Sequence, residues 1–482
     1  MKKLKALSSI GKKKIWLLLF FGIAVAICVV PAIIRLNYIP TWVKWNERAI
    51  DAGRGVQVVL KNKKLAVYGP SGEVTFTPDK GFKVQDVLVT DIDRDEEPEM
   101  IALLWKRGIY GKDRPFWEKS DEKTYSQHIF LFDISSDGEV SHKWGTSRTG
   151  IEVDRMKVME RNESVLLLES RSGRSTLWNW QGWGLKNMKN EVRIVAFGDN
   201  LIHTPIYEYA AANEGGSFDF LYEPFITDIE EADIAALNAE TVLVDKESAV
   251  GGYPSFGSPI EVGEAVVKAG FDVVTGANNH ALDRGKYGID VSKKFYEENG
   301  ITCVGIQSSS DNEYKPYEVI SRNGIRIAMF AYTYGTNAGD ISGEYPCMVH
   351  YLPKNAAEEE KLIEDLKSAR KEADFVIAFV HWGEEYEEKA SDEQKRMAEL
   401  FAKGGTDVII GSHPHVIQES EMIDRPDGGK ELVYYSLGNF RADQGKREAT
   451  RRGLEAVFTI GYSYDGVEIL DHSEKEINAY WK

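Results

Sequence analysis

The chain has 482 residues, 43% of them hydrophobic, enough to bury large cores and too many for one typical domain. Its formal net charge of −17 excludes a general nucleic-acid binder, because no global cationic field exists to attract phosphate backbones. An acidic polymer would also be repelled from most of this surface, so a site for one needs local cations or metals to gather it.

Residues 15–34 form an uncharged apolar run of 20 residues, about what an α-helix needs to cross a membrane. Lys2, Lys3, Lys5 and Lys12 to Lys14 precede it. Residues 1–14 therefore read as a cytoplasmic basic tail and 15–34 as a single-pass transmembrane signal anchor in the cell membrane, with everything after Arg35 extracytoplasmic. A cleaved signal peptide is the competing reading, but its apolar core is usually shorter and no Ala-x-Ala-like site ends this one. Residues 35–55 read as a juxtamembrane linker, with Trp42 and Trp45 either interfacial aromatics or plain linker residues.

Residues 56–185 show period-two alternation broken by Gly-containing turns, the pattern of short antiparallel strands. Residues 65–74, 129–140 and 177–184 look alike, as do 84–103 and 151–168. The repetition predicts a small all-β, propeller-like domain, incomplete because two to three such units fall short of the four that propellers need. Within it, Asp91, Asp93, Asp95 and Glu99 stand at offsets that can converge on calcium. The alternative is a solvated acidic hairpin turn, favoured by Glu96 where a calcium loop wants glycine.

Residues 186–191 are a polar connector, and 192–482 change to α/β texture, with amphipathic helical stretches at 259–269, 287–299, 356–372 and 392–403. Ser391 is a helix N-cap and Gly404-Gly405 a stop. The prediction is an α/β domain built as a mixed sheet or two-sheet sandwich. Cys303 and Cys347 lie outside the membrane run; the sequence leaves open whether they pair or whether Cys303 is a buried thiol.

Five apolar, β-branched runs in this domain end in ligand-type residues: Asp199, Glu240, Asn279 with His280, His381, and His413 with His415. Ligands of open α/β sheets bind at the carboxyl ends of strands. Four of the chain's nine histidines stand at these ends, which points to a metal site. A carboxylate, an amide and imidazoles suit manganese, zinc or iron.

Six motifs occur in order: Gly198-Asp199, Asn238-Ala239-Glu240, Ala277-Asn278-Asn279-His280-Ala281-Leu282-Asp283, His381-Trp382-Gly383-Glu384, Gly411-Ser412-His413-Pro414-His415 and Ser436-Leu437-Gly438-Asn439-Phe440. Through them the region resembles the CapA family of poly-γ-glutamate capsule-synthesis proteins, whose lobe is similar to the metallophosphoesterase fold. The resemblance implies one metal held by Glu240, Asn279, His381 and His413, and a second served by Asp199 and His415. Leu201 stands where that pattern puts a further histidine, so the second metal lacks a ligand unless His203 or water replaces it. The resemblance also makes His280 the general acid, oriented by Asp283 or next to a merely salt-bridged Asp283-Arg284. It offers Arg284 and Asn439 as substrate contacts, with residues 436–440 a structural turn beneath the site. The implied function is a metal-dependent hydrolase or transferase acting on an anionic cell-surface polymer. The alternatives are a non-catalytic polymer-binding component docking on capsule synthase subunits, and, by fold analogy alone, a phosphoesterase.

Overall fold

The computed structural model describes residues 37–110, 114–160, 164–339 and 341–482. The basic tail and membrane run lie outside them; among the described residues no helix is long and apolar enough to cross a membrane. The chain divides into two compact units, one ending at Met188 and one beginning at Lys189.

Unit one is three consecutive four-stranded antiparallel meanders. The first holds β1 (Arg48–Asp51), β2 (Gln57–Lys61), β3 (Lys64–Tyr68) and β4 (Val74–Phe76); the second β5 (Lys83–Thr90), β6 (Glu99–Arg107), β7 (Tyr125–Ile134) and β8 (Val140–Gly145); the third β9 (Val153–Glu160), β10 (Ser164–Ser170), β11 (Ser175–Gln181) and β12 (Gly184–Met188). The continuous apolar run of β6 belongs to the middle sheet, which is covered on both faces. Met100, Ala102 and Leu104 pack towards Val58, Leu60 and Val67 of the first sheet, whereas Ile101 and Leu103 pack towards Met156, Leu166 and Leu168 of the third. A strand buried on both faces loses its polar alternation.

Two expected boundaries move. Arg48–Asp51, expected in a linker, pairs antiparallel with β2, and Trp42 packs edge-on against Trp105 at 6.1 Å between centroids, so this stretch belongs to unit one. The polar segment 186–191 is largely strand: only Lys189 and Asn190 separate β12 from β13. A strand partner satisfies the backbone whatever the side chains' polarity.

Unit two is mixed α/β. In chain order it contains β13 (Glu191–Leu201), α1 (Thr204–Asn213), α2 (Ile226–Glu231), β14 (Ile234–Ala239), β15 (Leu243–Val244), β16 (Ser258–Pro259), α3 (Ile260–Ala269), β17 (Val273–Thr275), α4 (Gly285–Glu298), β18 (Thr302–Val304), β19 (Glu318–Arg322), β20 (Ile325–Thr333), α5 (Ala356–Glu372), β21 (Phe375–His381), α6 (Asp392–Gly404), β22 (Val408–Ser412), β23 (Ser420–Asp424), β24 (Lys430–Tyr434), β25 (Asn439–Ala442), β26 (Arg452–Tyr462) and β27 (Val467–Asn478). Ser391 starts α6 with a full capping box, and Gly405 ends it at φ 96°.

Apart from the short parallel pair β15-β16, the strands form two mixed sheets. One runs β18-β17-β14-β13-β26-β27, with β25 also paired to β13; the other runs β19-β20-β21-β22-β24-β23. Val195, Phe197, Ala235 and Leu237 of the first sheet pack under helical Ile206, Val262, Val266 and Ile289. On the second, Ala328, Phe330, Val376 and Ala378 pack under Leu366, Ala369 and Phe401. The alternate residues Ile194, Ala196, Met329, Ala331, Ile377 and Phe379 are buried too, so by strand alternation each sheet has a second covered face. Contacts of β13 with β22 and of β18 with β20 join those faces into a sandwich. Cys303 and Cys347 are both buried free thiols.

Candidate metal centre

The parallel strands of both sheets deliver their carboxyl ends to one place. Register sets Asp199 beside Asn238 and Asn439, and His381 beside Ser412. Two glycines let the backbone close up there. A Cβ on Gly198 would lie 1.9 Å from the Gly438 carbonyl oxygen, the same oxygen that accepts a hydrogen bond from the Asp199 N–H at 3.0 Å. After β22 the chain turns through His413 at φ 101° and His415 at φ 58°, left-handed backbone that costs a side-chain-bearing residue on the order of 1 kcal/mol or more. The turn is fixed because the His413 N–H donates to Asp199 Oδ2 at 3.2 Å.

Two groups of donor atoms result, each within 4.8 Å: Glu240, His381 and His413, and Asp199, Glu240 and His415. Glu240 is common to both. Its Oε1 lies 3.6 Å from His381 Nε2 and 3.8 Å from His415 Nε2, and neither of its buried oxygens meets a hydrogen-bond donor. Asn279 Oδ1 lies 3.1 Å from His381 Nε2, which brings Asn279 to the edge of the first group. His413 Nδ1 is likewise buried without a partner. Buried acceptors left unmatched are costly, and a divalent cation among them would satisfy a shared carboxylate and unmatched imidazoles together, so the residues fit a metal.

The electrostatics run the same way. Burial, reinforced by neighbouring Asp199, pushes the Glu240 carboxyl well above its ordinary range. Burial and the imidazoles of His413, His415 and His280 push His381 well down, and burial with His415 brings His413 down to about 3. Neutral imidazoles are the form that ligates metal. Burial alone would raise Asp199, but the His415 hydrogen bond and charge, with Asn238, hold it below the ordinary carboxylate value.

His280 sits beside this cluster with its Nδ1 2.7 Å from Asp283 Oδ2. The same carboxylate oxygen accepts the Phe256 N–H at 2.6 Å, and the Phe256 ring stands edge-on to His280 at 4.7 Å. Asp283 therefore orients His280.

Other expectations are corrected. Arg284 does not offer a fork to substrate: it donates to the carbonyls of Ala249, Ser255 and Asp283 and to Ser255 Oγ, which makes it a clamp on the loop ahead of β16. Asn439 is a positioning residue rather than a substrate contact, since Oδ1 lies 3.1 Å from His415 Nδ1 and Nδ2 donates to Gln444 and to the Thr450 carbonyl. His203 joins neither donor group; its Nδ1 lies 2.9 Å from the Leu201 carbonyl and 3.2 Å from the Asp443 N–H, and burial brings it down to about 4.

Of the two readings of the Asp91 loop, its contacts favour the acidic hairpin turn over calcium. Asp91, Asp93 and Glu99 do approach one another, but the Lys143 ammonium takes the cation's place, 2.5 Å from Asp93, 2.7 Å from Glu99, 2.8 Å from Asp133 and 3.8 Å from Asp95. Asp91 instead accepts the N–H groups of Arg94, Asp95 and Glu96, an Asx-type turn.

Sequence reasoning missed three contributors. Asn238 Nδ2 donates to Asp199 Oδ1 at 2.8 Å and lies 3.3 Å from His381 Nδ1; its place two residues before Glu240 was the available signal. Ser412 Oγ lies 2.9 Å from His381 Nδ1. Tyr334 packs its ring 4.7 Å from that of His413, and no spacing pointed to it.

The family described as Bacterial capsule synthesis protein PGA_cap matches residues 193–444, more than half of the chain. The chain belongs to that family. It is 33% identical over 213 residues to the capsule biosynthesis protein CapA of Bacillus anthracis, covering 44% of this chain and 49% of that one. It is 32% identical over 176 residues to the PGA biosynthesis protein CapA of Bacillus subtilis (strain 168), covering 36% and 43%. The chain thus spans about half the length of these relatives. Among solved structures, a calcineurin-like phosphoesterase YfkN from Bacillus subtilis aligns with a TM-score of 0.34 at 13% identity, over 60% of this chain and 91% of that one. A hypothetical protein from Thermus thermophilus gives 0.34 at 15%, over 60% and 99%. Both likenesses are too loose to carry a conclusion.

Proposed function

We propose that this PGA_cap chain is a membrane-anchored, outward-facing hydrolase or transferase that uses one or two divalent transition-metal ions, manganese, zinc or iron, on an anionic cell-surface polymer such as poly-γ-glutamate. The observation that carries the reading is Glu240, buried with both oxygens unmatched and shared by two donor groups, the arrangement of a metallophosphoesterase-like centre. A metal held there supplies Lewis acidity towards the oxygen of the amide or ester under attack.

The chain's own residues do the rest. Asp199 is held by Asn238 and by the His413 N–H, and His415 by Asp199 and Asn439, so the donors are preorganised. With Nδ1 committed to Asp283, His280 keeps Nε2 for a proton that can pass to the departing amine or alcohol. Phe256 packs perpendicular to that ring at 4.7 Å and helps to fix its plane. Full-length protein in detergent, incubated with poly-γ-glutamate and each metal, tests the reading by chain-length analysis. Unchanged length under all three metals would sink hydrolysis. Added protease on intact protoplasts tests the topology: a protected C-terminal tag would contradict the outward orientation.

A second reading is a non-catalytic, polymer-binding component of a synthesis complex that docks on capsule synthase subunits. It is favoured by the Asp199 group, where Leu201 brings no ligand and His203 stands outside both donor sets. If alanine at both His381 and His413 leaves surface polymer intact while deletion of the chain abolishes it, this second reading stands.

A further inference from the structure

A polymer with a carboxylate on each unit approaches a chain of net charge −17 against a repulsive field, so recognition needs a positioned cation. Arg284, close to His280 in sequence, is committed to its own loop. Immediately after Asn439 the local balance reverses: residues 441–452 hold five basic and two acidic side chains. Arg441 is buried and donates to the Asn478 carbonyl, and Arg452 pairs with Glu476. Lys446 is exposed, and Arg451 stacks on Tyr480 near the C-terminus, away from the His-Pro-His turn.

Arg447 differs. It is exposed, its guanidinium carbon lies 4.1 Å from the centroid of the Tyr386 ring, and no ion pair joins it to a carboxylate among the described residues. Tyr386 in turn has its ring 6.1 Å from that of His415, and its N–H donates to the Pro414 carbonyl at 2.8 Å, inside the His-Pro-His turn. It holds this place at φ 69°. The loop bearing Arg447 is anchored as well: Gln444 accepts from Asn439, Asp443 accepts from Trp481 Nε1 at 2.7 Å, and Thr450 Oγ1 donates to the Arg447 carbonyl at 2.9 Å. Both members of the stack are therefore tied to residues that build the metal centre, Tyr386 through Pro414 and Arg447 through Asn439.

Stacking uses the flat face of a guanidinium and leaves its in-plane N–H groups directed outward as a two-donor fork. We propose that Arg447, seated on Tyr386, binds a carboxylate of the substrate beside the bond on which the centre acts. It is the specificity-determining residue for an anionic polymer. This rests on the reading that Glu240 and its histidines hold a metal.

The test is calorimetric titration of manganese-loaded full-length protein with a γ-linked glutamate pentamer and with the same pentamer whose free α-carboxylates are converted to amides, with elemental analysis of each sample. Arg447→Gln should weaken pentamer binding by about ten-fold or more at low salt and leave the amide unchanged, while Arg447→Lys recovers only part, as a point charge replaces a fork. Arg451→Gln removes the same charge from the same segment and should change binding less than about two-fold. Bound metal should be equal in all four proteins. Equal pentamer affinity in wild type and Arg447→Gln, an equal loss in Arg451→Gln, no pentamer binding by wild type, or no preference for pentamer over amide would each overturn the clamp and leave the metal reading in place. Wild type without metal would instead overturn the metal reading. The clamp would then stand only if Arg447→Gln still selectively lost the pentamer.

Discussion

A Cβ placed on Gly411 would lie 2.0 Å from the Tyr435 carbonyl oxygen. That oxygen also accepts the Trp382 indole N–H at 2.9 Å, so it cannot retreat without breaking a buried hydrogen bond. Gly411→Ala should therefore displace the His413 turn and destabilise the protein by about 1 to 3 kcal/mol, as overpacking does, with loss of bound metal. Gly343→Ala, where a Cβ meets nothing within 4 Å, should be close to neutral. Urea unfolding and elemental analysis of both variants check this.

Replacing a donor and replacing the proposed acid should have different signatures. His381→Ala removes an imidazole from the Glu240 group and should lower metal affinity by roughly 10-fold or more. His280→Ala touches neither donor group and should keep its metal, while any bond cleavage falls by roughly 10²-fold to 10⁴-fold. Equal and negligible metal in wild type and both variants, after supply of manganese, zinc and iron, would leave the donor cluster without its proposed ligand.

Lys143 acts as a built-in cation. Calcium in the millimolar range should leave the melting temperature of the wild type unchanged. Lys143→Met strands buried Glu99 next to Asp93 and Asp133 and should cost about 3 kcal/mol, the loss expected on breaking a partly buried ion cluster. A calcium-induced rise in wild-type melting temperature would contradict the assignment.

His128 gives unit one an acid sensitivity. Burial pulls it down to about 4 despite its bond to the Thr146 carbonyl, against an ordinary value near 6.5 in the unfolded chain. Between those values the unfolded state binds more protons, so stability is complete above about pH 6.5 and falls as the pH drops towards 4. His128→Gln should lose about 2 kcal/mol less than wild type between pH 7 and pH 4.5, measured by urea unfolding at the two values.

The donors were legible because each ends an apolar run, and strand ends are where a sheet presents side chains to a ligand. The helices at 356–372 and 392–404 were legible for a similar reason, apolar periodicity, the second with the Ser391 cap in view; the Asn355 cap of the first, which accepts from the Ala357 and Glu358 N–H groups, was not read from the sequence. Arg284 misled because its neighbours in sequence, His280 and Asp283, are at the site while its side chain turns to a loop some thirty residues upstream. The choice at the Asp91 loop stayed open for the converse reason, as the ammonium that lies among its carboxylates comes from a strand more than forty residues away. Arg447 and Tyr386 carried no signal, because their stacking joins two loops that only the sandwich brings together.

The donor residues come from both layers of unit two. Asp199, Glu240 and Asn279 stand on or just beyond β13, β14 and β17 of one sheet, and His381, His413 and His415 on or just beyond β21 and β22 of the other. A cation taken by both sets would be a cross-link between layers that unfolding must release. The stability of the sandwich then becomes a function of free metal, rising by about 2.7 kcal/mol at a hundred-fold excess over the dissociation constant. A chelator should lower the unfolding temperature of this unit and leave that of the β meanders, which contribute none of these donors, where it was.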